Sequence, residues 1–182
     1  MVIQKSSATL KDGTIIEIRS PEICDAERLI SYLHQTSEET HFMVRYPEEC
    51  TTDVSWEVEY LNKLLPHPRN FMAAGFLNGE LDGTCGVHEI SDRFKMRHRA
   101  SLGISIKKKA WGLGLGTLLM EKALEQAKEN GFTQVELGVF ADNERARHLY
   151  RKLGFTENGC IPKAFYLKDG TYRDEVQMVK LL

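Results

Sequence analysis

The stretch Lys107-Lys108-Lys109-Ala110-Trp111-Gly112-Leu113-Gly114-Leu115-Gly116-Thr117-Leu118-Leu119-Met120 constrains this chain more than any other. It reads as a strand end, a glycine-rich turn and the opening of a helix. Glycine at every second position from 112 to 116 lets the backbone turn tightly and meet a ligand with no side chain between. The helix that follows aims its unpaired N–H groups and the positive end of its dipole at the same spot, which suits an anion such as phosphate. A β-rich run from Arg99 to Ile106 precedes the turn, and another, Gln134 to Phe140, follows the helix. The unit is therefore strand, helix, strand, with the two strands parallel. Two phosphate loops are excluded. No Gly-Lys-Ser/Thr closes the turn, and Gly112-x-Gly114-x-Gly116 lacks the spacing of the dinucleotide fingerprint.

Upstream, Thr14 to Arg19 is a short strand after the turn residues Asp12-Gly13. Ser20-Pro21-Glu22 predicts a helix start, with Ser20 as cap, and Ile23, Ala26, Leu29, Ile30 and Leu33 carry the helical spacing to about Gln35. Residues 36 to 50 show no period and read as a long loop. Thr52-Asp53 caps a second helix bearing Val54, Val58, Leu61 and Leu65, which Pro66 ends. Strands on either side of Asn78-Gly79, Phe71 to Leu77 and Leu81 to Ile90, form a hairpin. The helix after the glycine turn closes at Asn130-Gly131. Asp142-Asn143 opens a short helix stopped by Gly154, and two strands near Ala164–Leu167 and Asp174–Leu181 complete the chain. No linker or repeat interrupts it, so residues 1–182 read as a single domain of mixed α and β structure, with about seven strands and four helices.

Charge is unevenly spread. Between Glu22 and Glu59 ten carboxylates face only Arg28 and Arg45, while Arg93 to Lys109 holds seven Lys or Arg and no acid. The split gives an acidic side suited to a cationic ligand and a basic side suited to an anionic one. Nucleic-acid binding is not expected, because only Phe94 and Trp111 interleave the basic stretch. Cys24, Cys50, Cys85 and Cys160 form no CxxC pair and have no histidine at zinc-ligand spacing, so no metal is expected. No apolar run approaches the roughly 20 residues of a membrane helix, and Met1 to Ser6 lack signal-peptide shape, which makes the cytoplasm the expected location.

Two motifs together resemble a known family, the GNAT superfamily of acetyl-CoA-dependent N-acetyltransferases. Its cofactor motif runs Gln or Arg, two residues, Gly, one residue, Gly or Ala. Trp111 to Gly116 is similar to it, with Trp111 in place of the usual Gln or Arg. The second likeness is Asn143-Glu144-Arg145-Ala146-Arg147-His148-Leu149-Tyr150-Arg151-Lys152-Leu153-Gly154-Phe155, which looks like the family's asparagine, helix, tyrosine and Leu-Gly-Phe ending. The order of elements matches along nearly the whole chain.

The resemblance implies a splayed mixed sheet and a set of roles. Ile104, Ser105 and Ile106 would pair with the pantetheine amides of acetyl-CoA, and their strand amides would stabilise the oxyanion. The backbone of Trp111, Gly112, Leu113, Gly114, Leu115, Gly116 and Thr117 would hold the pyrophosphate. Lys107 to Lys109 lie where the 3′-phosphate could pass. Asn143 would contact the cofactor while capping its own helix, and Tyr150 would protonate the departing thiolate. A phenol with a pKa of ~10 matches a thiolate of comparable basicity.

The general base is open. Some members carry a glutamate five residues before the motif asparagine, and that position here is Gly138. Glu136, on the same strand face, is the substitute carried forward, with His88 and Glu89 as others. The acceptor, a small-molecule or peptide amine, would meet the acidic region around Glu38, Glu39, Tyr46, Glu48 and Glu49, which points to a polyamine, an aminoglycoside-like molecule or a protein amine. Family members often form homodimers. The competing reading, supported by the missing glutamate, is an acyl-CoA sensor or an inactive scaffold of the same fold.

Overall fold

Asp12-Gly13 turns the chain between two short antiparallel strands, β1 (Ser6–Thr9) and β2 (Ile15–Arg19), with Gly13 at φ +87°. The computed structural model describes residues 1–182. After a 3₁₀ turn at 23–25 come α1 (Ala26–Glu39) and α2 (Val54–Leu64). The hairpin β3 (Phe71–Leu77) and β4 (Glu80–Glu89) follows, with Asn78 and Gly79 both at positive φ, as a tight two-residue turn requires. Then come β5 (Arg99–Ile106), α3 (Leu115–Glu129), β6 (Gln134–Phe140), α4 (Glu144–Lys152), β7 (Thr156–Tyr166) and β8 (Tyr172–Leu181).

The strands form one mixed sheet in the order β1-β2-β3-β4-β5-β6-β8-β7. Every neighbouring pair is antiparallel except β5 and β6, the βαβ pair. On one face, Leu115, Leu119, Met120, Ala123 and Ala127 of α3 bury against Phe71, Val87, Val135 and Leu137. On the other, Leu29 and Tyr32 of α1 and Leu61 of α2 pack on Ala74, Phe76 and Leu81. Strand alternation sends Val135, Leu137 and Val139 of β6 to the α3 face, leaving Glu136, Gly138 and Phe140 on the opposite one.

One feature of the sheet positions the site. β5 and β6 pair only through Arg99–Gln134, Ala100–Val135 and Ser101–Glu136. Beyond these residues the strands part, so the sheet is open between Leu102–Ile106 and Leu137–Phe140.

The sequence expectations need four corrections. There are eight strands, because β1 is a four-residue run with too few apolar side chains to stand out. Ser20 is not a helix cap: its Oγ accepts from the Ile3 N–H (3.0 Å), and α1 starts six residues later. α1 then runs on to Glu39, so the loop before α2 is shorter than 36–50 implied. The penultimate strand starts at Thr156 rather than near Ala164, its pairing interrupted by register shifts at Glu157/Gly159 and Ile161/Phe165.

The turn before α1 is pinned by Asp25, whose side chain is fully buried. It accepts from Arg19 (2.6 Å), Arg28 (3.0 Å) and the Glu22 N–H (2.8 Å). Burial pushes this carboxyl up, but the hydrogen bonds from Arg19 and Glu22 outweigh it and hold the pKa below the ordinary value. Its contribution is thus present above the unfolded carboxylate range and lost as pH falls through the lower folded value. Asp25→Ala is expected to cost about 3 kcal/mol in urea unfolding at pH 7, and less as the pH is taken below 4.

Candidate active site

The open edge of β5 can be read from its hydrogen bonds. The Arg99 carbonyl accepts from Ile90 (3.2 Å), and the Lys107 N–H donates to the Asp82 carbonyl (2.9 Å). Odd-numbered residues therefore turn their backbone groups toward β4, and alternation turns those of Ile104 and Ile106 toward the gap. Ser105 differs from its neighbours. Its carbonyl and Oγ meet the Tyr32 hydroxyl at 2.6 and 2.7 Å, and that hydroxyl also accepts from the Thr84 N–H (3.2 Å). Of the three residues expected to pair with an extended ligand, the structure turns Ile104 and Ile106 to the gap and Ser105 away from it. The Ile106 carbonyl already accepts from the Trp111 indole N–H (2.8 Å), so Trp111 supplies a polar donor at the motif's first position.

None of the N–H groups from Gly112 to Thr117 donates to another group of the protein. Gly112 and Gly114 reach this arrangement at φ +81° and +97°. Gly116 is needed for contact instead, since a Cβ there would lie 3.0 Å from Ile106 and 3.1 Å from Leu149. Such a run of free, convergent amides at a helix start is an anion cradle. It fits a pyrophosphate by its donors alone.

The three lysines before the turn divide. Lys109 pairs with Glu80 (2.7 Å) and the buried Asp82 (2.9 Å), and Lys107 lies 3.8 Å from Asp82. The Lys108 N–H donates to Glu39 at 2.5 Å. The cation beside the cradle is one the sequence did not suggest: Lys11, whose N–H donates to the Leu113 carbonyl (2.9 Å) and whose side chain runs past Gly114 without an ionic partner. No sequence signal marks it, because β1 and the glycine turn are a hundred residues apart.

α4 closes the other side of the turn. Asn143 caps it, accepting from the Ala146 N–H at 3.2 Å, and Arg145 lies 4.6 Å over the Trp111 ring. Tyr150 is 7% exposed, and its hydroxyl bonds to no protein group. Burial, and then the nearby Cys85 thiol, push the phenol pKa up, so it is protonated at neutral pH. Cys85 faces Ile104 across the β4–β5 ladder, which places Tyr150 alongside the unpaired part of β5.

The structure separates the candidate bases, with Glu136 and His88 on the sheet face away from α3 and Glu89 on the α3 face. Glu136 is gripped by Arg99 at 2.5 and 2.8 Å and by Gln134 at 2.8 Å, at the closed end of the gap. The Arg99 hydrogen bonds hold its pKa down. That environment makes it a weak proton acceptor. Burial lowers the His88 pKa, and Glu89 sits 3.4 Å from His67.

At the open end, Phe140 stacks on Phe165 of β7 (3.8 Å) and meets Phe42 and His41 of the loop after α1 edge-on. Beside them, Glu175 of β8 lies over Gly138. A Cβ on Gly138 would fall 2.7 Å from its carboxyl carbon. The acids of the 38–49 region are individually engaged. Glu38 lies 3.6 Å from His34, Glu39 takes Lys108, Glu48 pairs with Lys168 and Glu49 accepts from the Tyr46 N–H.

Residues 31–155 match the model of the acetyltransferase (GNAT) family. This chain belongs to that family. A GNAT acetyltransferase from Streptococcus pneumoniae has the same fold, with a TM-score of 0.87 and 32% identity over 92% of this chain and 99% of that one. The yncA structure from Salmonella typhimurium, solved with its cofactor acetyl-CoA, superposes with a TM-score of 0.79 at 18% identity, over 92% of this chain and 94% of that one. Spermidine N(1)-acetyltransferase of Escherichia coli strain K12 is 34% identical over 105 residues, 54% of this chain and 54% of that protein. The chain thus spans about half the length of this curated relative.

The GNAT turn offers a direct check. An alanine at Gly114 must take a positive φ at a strain of roughly 1–2 kcal/mol. Gly114→Ala is expected to weaken coenzyme A binding about tenfold by calorimetry, the equivalent of ~1.4 kcal/mol.

Proposed function

We propose that this GNAT protein is an N-acetyltransferase that moves the acetyl group of acetyl-CoA to a primary amine by direct attack. The observation that carries this is the coincidence at one gap of an unpaired strand edge, a run of free amides and a buried, protonated tyrosine.

Acetyl-CoA supplies the activated thioester. Ile104 and the Ile106 N–H orient it along the open edge of β5. The amides of Gly112 to Thr117 hold the pyrophosphate, with Lys11 as the adjacent cation and Asn143 at the mouth. The amides bordering the gap also face charge developing on the acyl oxygen. Tyr150 holds its proton until the C–S bond breaks and passes it to the leaving sulfur. The dry surroundings that raise the phenol also raise the basicity of a thiolate, so the two stay matched. Tyr150→Phe is expected to lower kcat by about a hundredfold, followed by free-thiol release, while leaving coenzyme A affinity unchanged. An unchanged kcat removes Tyr150 from the reaction.

For the acceptor we favour a cationic amine, such as a polyamine. The acids between Glu22 and Glu59 set a negative field around the loop after α1, even though several are paired individually. The likeness to a spermidine acetyltransferase over half the chain supports the same reading. A panel of spermidine, an aminoglycoside, a free amino acid and a peptide N-terminus is expected to give the highest kcat/KM for the polycations. Equal rates for neutral amines would remove the charge preference. Coenzyme A binding with no turnover on any amine favours the sensor reading instead.

The β7 edge is exposed along almost its whole length and is the free sheet edge for the homodimer that the family resemblance implies. Light scattering on the purified chain tests that assembly.

A further inference from the structure

We infer that Glu175 is the general base of the acetyl transfer, delivering from β8 the carboxylate that β6 lacks at Gly138. The inference rests on the reading of the protein as an N-acetyltransferase, and deepens it.

Four observations carry it. First, Glu175 stands directly opposite Phe140 in the β6–β8 ladder, two pairs nearer the mouth of the gap than Gly138–Gln177. Directly paired residues share a face, so Glu175, Phe140 and Gly138 all lie on the side away from α3. Second, the carboxyl group leans over Gly138, where a Cβ would be 2.7 Å from its carbon and 3.2 Å from Gln177 Nε2. Glycine at 138 is therefore what admits the side chain. A larger residue there would force the carboxylate to shift. Third, the Glu175 carboxylate makes no hydrogen bond and no ion pair with the protein, whereas Glu136 on the same face is held by Arg99 and Gln134. Fourth, the side chain is half-buried beside the aromatic group of Phe140, Phe165, Phe42 and His41, a wall against which an amine can be held.

The nearest charged groups are neutralised among themselves. Arg173, two residues before Glu175 and on its face, pairs with Asp142 at 3.1 Å, and His41 lies 3.6 Å from the same Asp142. From β7, the Lys163 N–H donates to Asp174, on the other face of β8. Glu175 is left as the carboxylate without a counter-ion at the open end.

The step balances as follows. Glu175 takes one proton from the incoming ammonium and releases it to solvent. The neutral nitrogen forms the C–N bond as the C–S bond breaks. The sulfur gains the Tyr150 proton, and the second nitrogen proton returns to Tyr150. One proton is released per acetyl transferred. Donor and acceptor of protons thus stand on opposite faces of one sheet, with the gap between them.

The test uses the full chain with acetyl-CoA and spermidine, or the best amine of the panel, near neutral pH. Glu175→Gln keeps the shape and removes the base. It is expected to lower kcat about a hundredfold with the amine KM and coenzyme A binding within twofold of the parent. The double variant G138E/E175A returns a carboxylate to the same place from β6 and is expected to recover at least a tenth of the parent rate. A kcat within threefold of the parent for Glu175→Gln overturns the proposal. So does a change confined to the amine KM, which would make Glu175 a binding group. If the parent turns over no amine, both this inference and the acetyltransferase reading fall. Loss of activity in Glu175→Gln that G138E/E175A does not recover, with coenzyme A binding intact in both, overturns this inference alone.

Discussion

The site depends on a failure of pairing. Two parallel strands that begin in register at Arg99–Gln134 hold together for three residues and then diverge. A sheet ordinarily consumes the hydrogen-bonding capacity of its interior strands. Here the divergence returns that capacity to β5 in the middle of the molecule, where a ligand strand can use it. The helix between the two strands starts at the same opening, so its free amides converge on the same place. One topological event supplies both the extended edge and the anion cradle.

The divergence also makes a passage through the sheet. α3 and α4 cover one face and bring the protonated phenol of Tyr150 to it. α1, the loop after it and the ends of β7 and β8 wall the other face with aromatic rings and the Glu175 carboxylate. The proposed proton donor and proton acceptor thus stand on opposite faces of one sheet, which keeps them from neutralising each other.

Much of this was legible from residues alone. The glycine turn, the Asn78-Gly79 hairpin and the Asn143 cap depend on conformations and hydrogen bonds within a few residues of each other, and such local requirements show in sequence. What depends on register did not show. Glu175 meets Gly138 only because β8 pairs antiparallel to β6 with Gln177 against Gly138, and a slip of one residue would send it to the other face. Lys11 reaches the turn through the docking of β1. Ser105 sits in the motif strand yet turns away from the gap, because alternation within the strand outweighs its place in a sequence pattern. Glu136 is bound by Arg99, which stands opposite Gln134 two residues earlier in the parallel ladder. Ser20 looked like a cap and serves instead as an acceptor for Ile3.

The Tyr32 hydroxyl sits where a ladder hydrogen bond would otherwise run, accepting from Thr84 of β4 and donating to Ser105 of β5. Burial pushes this phenol up to about 12, so it remains a neutral bridge across the physiological range. Its other end is rooted in α1, the helix that leads into the loop carrying His41 and Phe42. The rivet ties the open strand β5 to the helix on the opposite face from α3. Because that one oxygen is bonded to both strands and anchored in α1, the open strand, its neighbour and the helix are held as a single unit beside the gap.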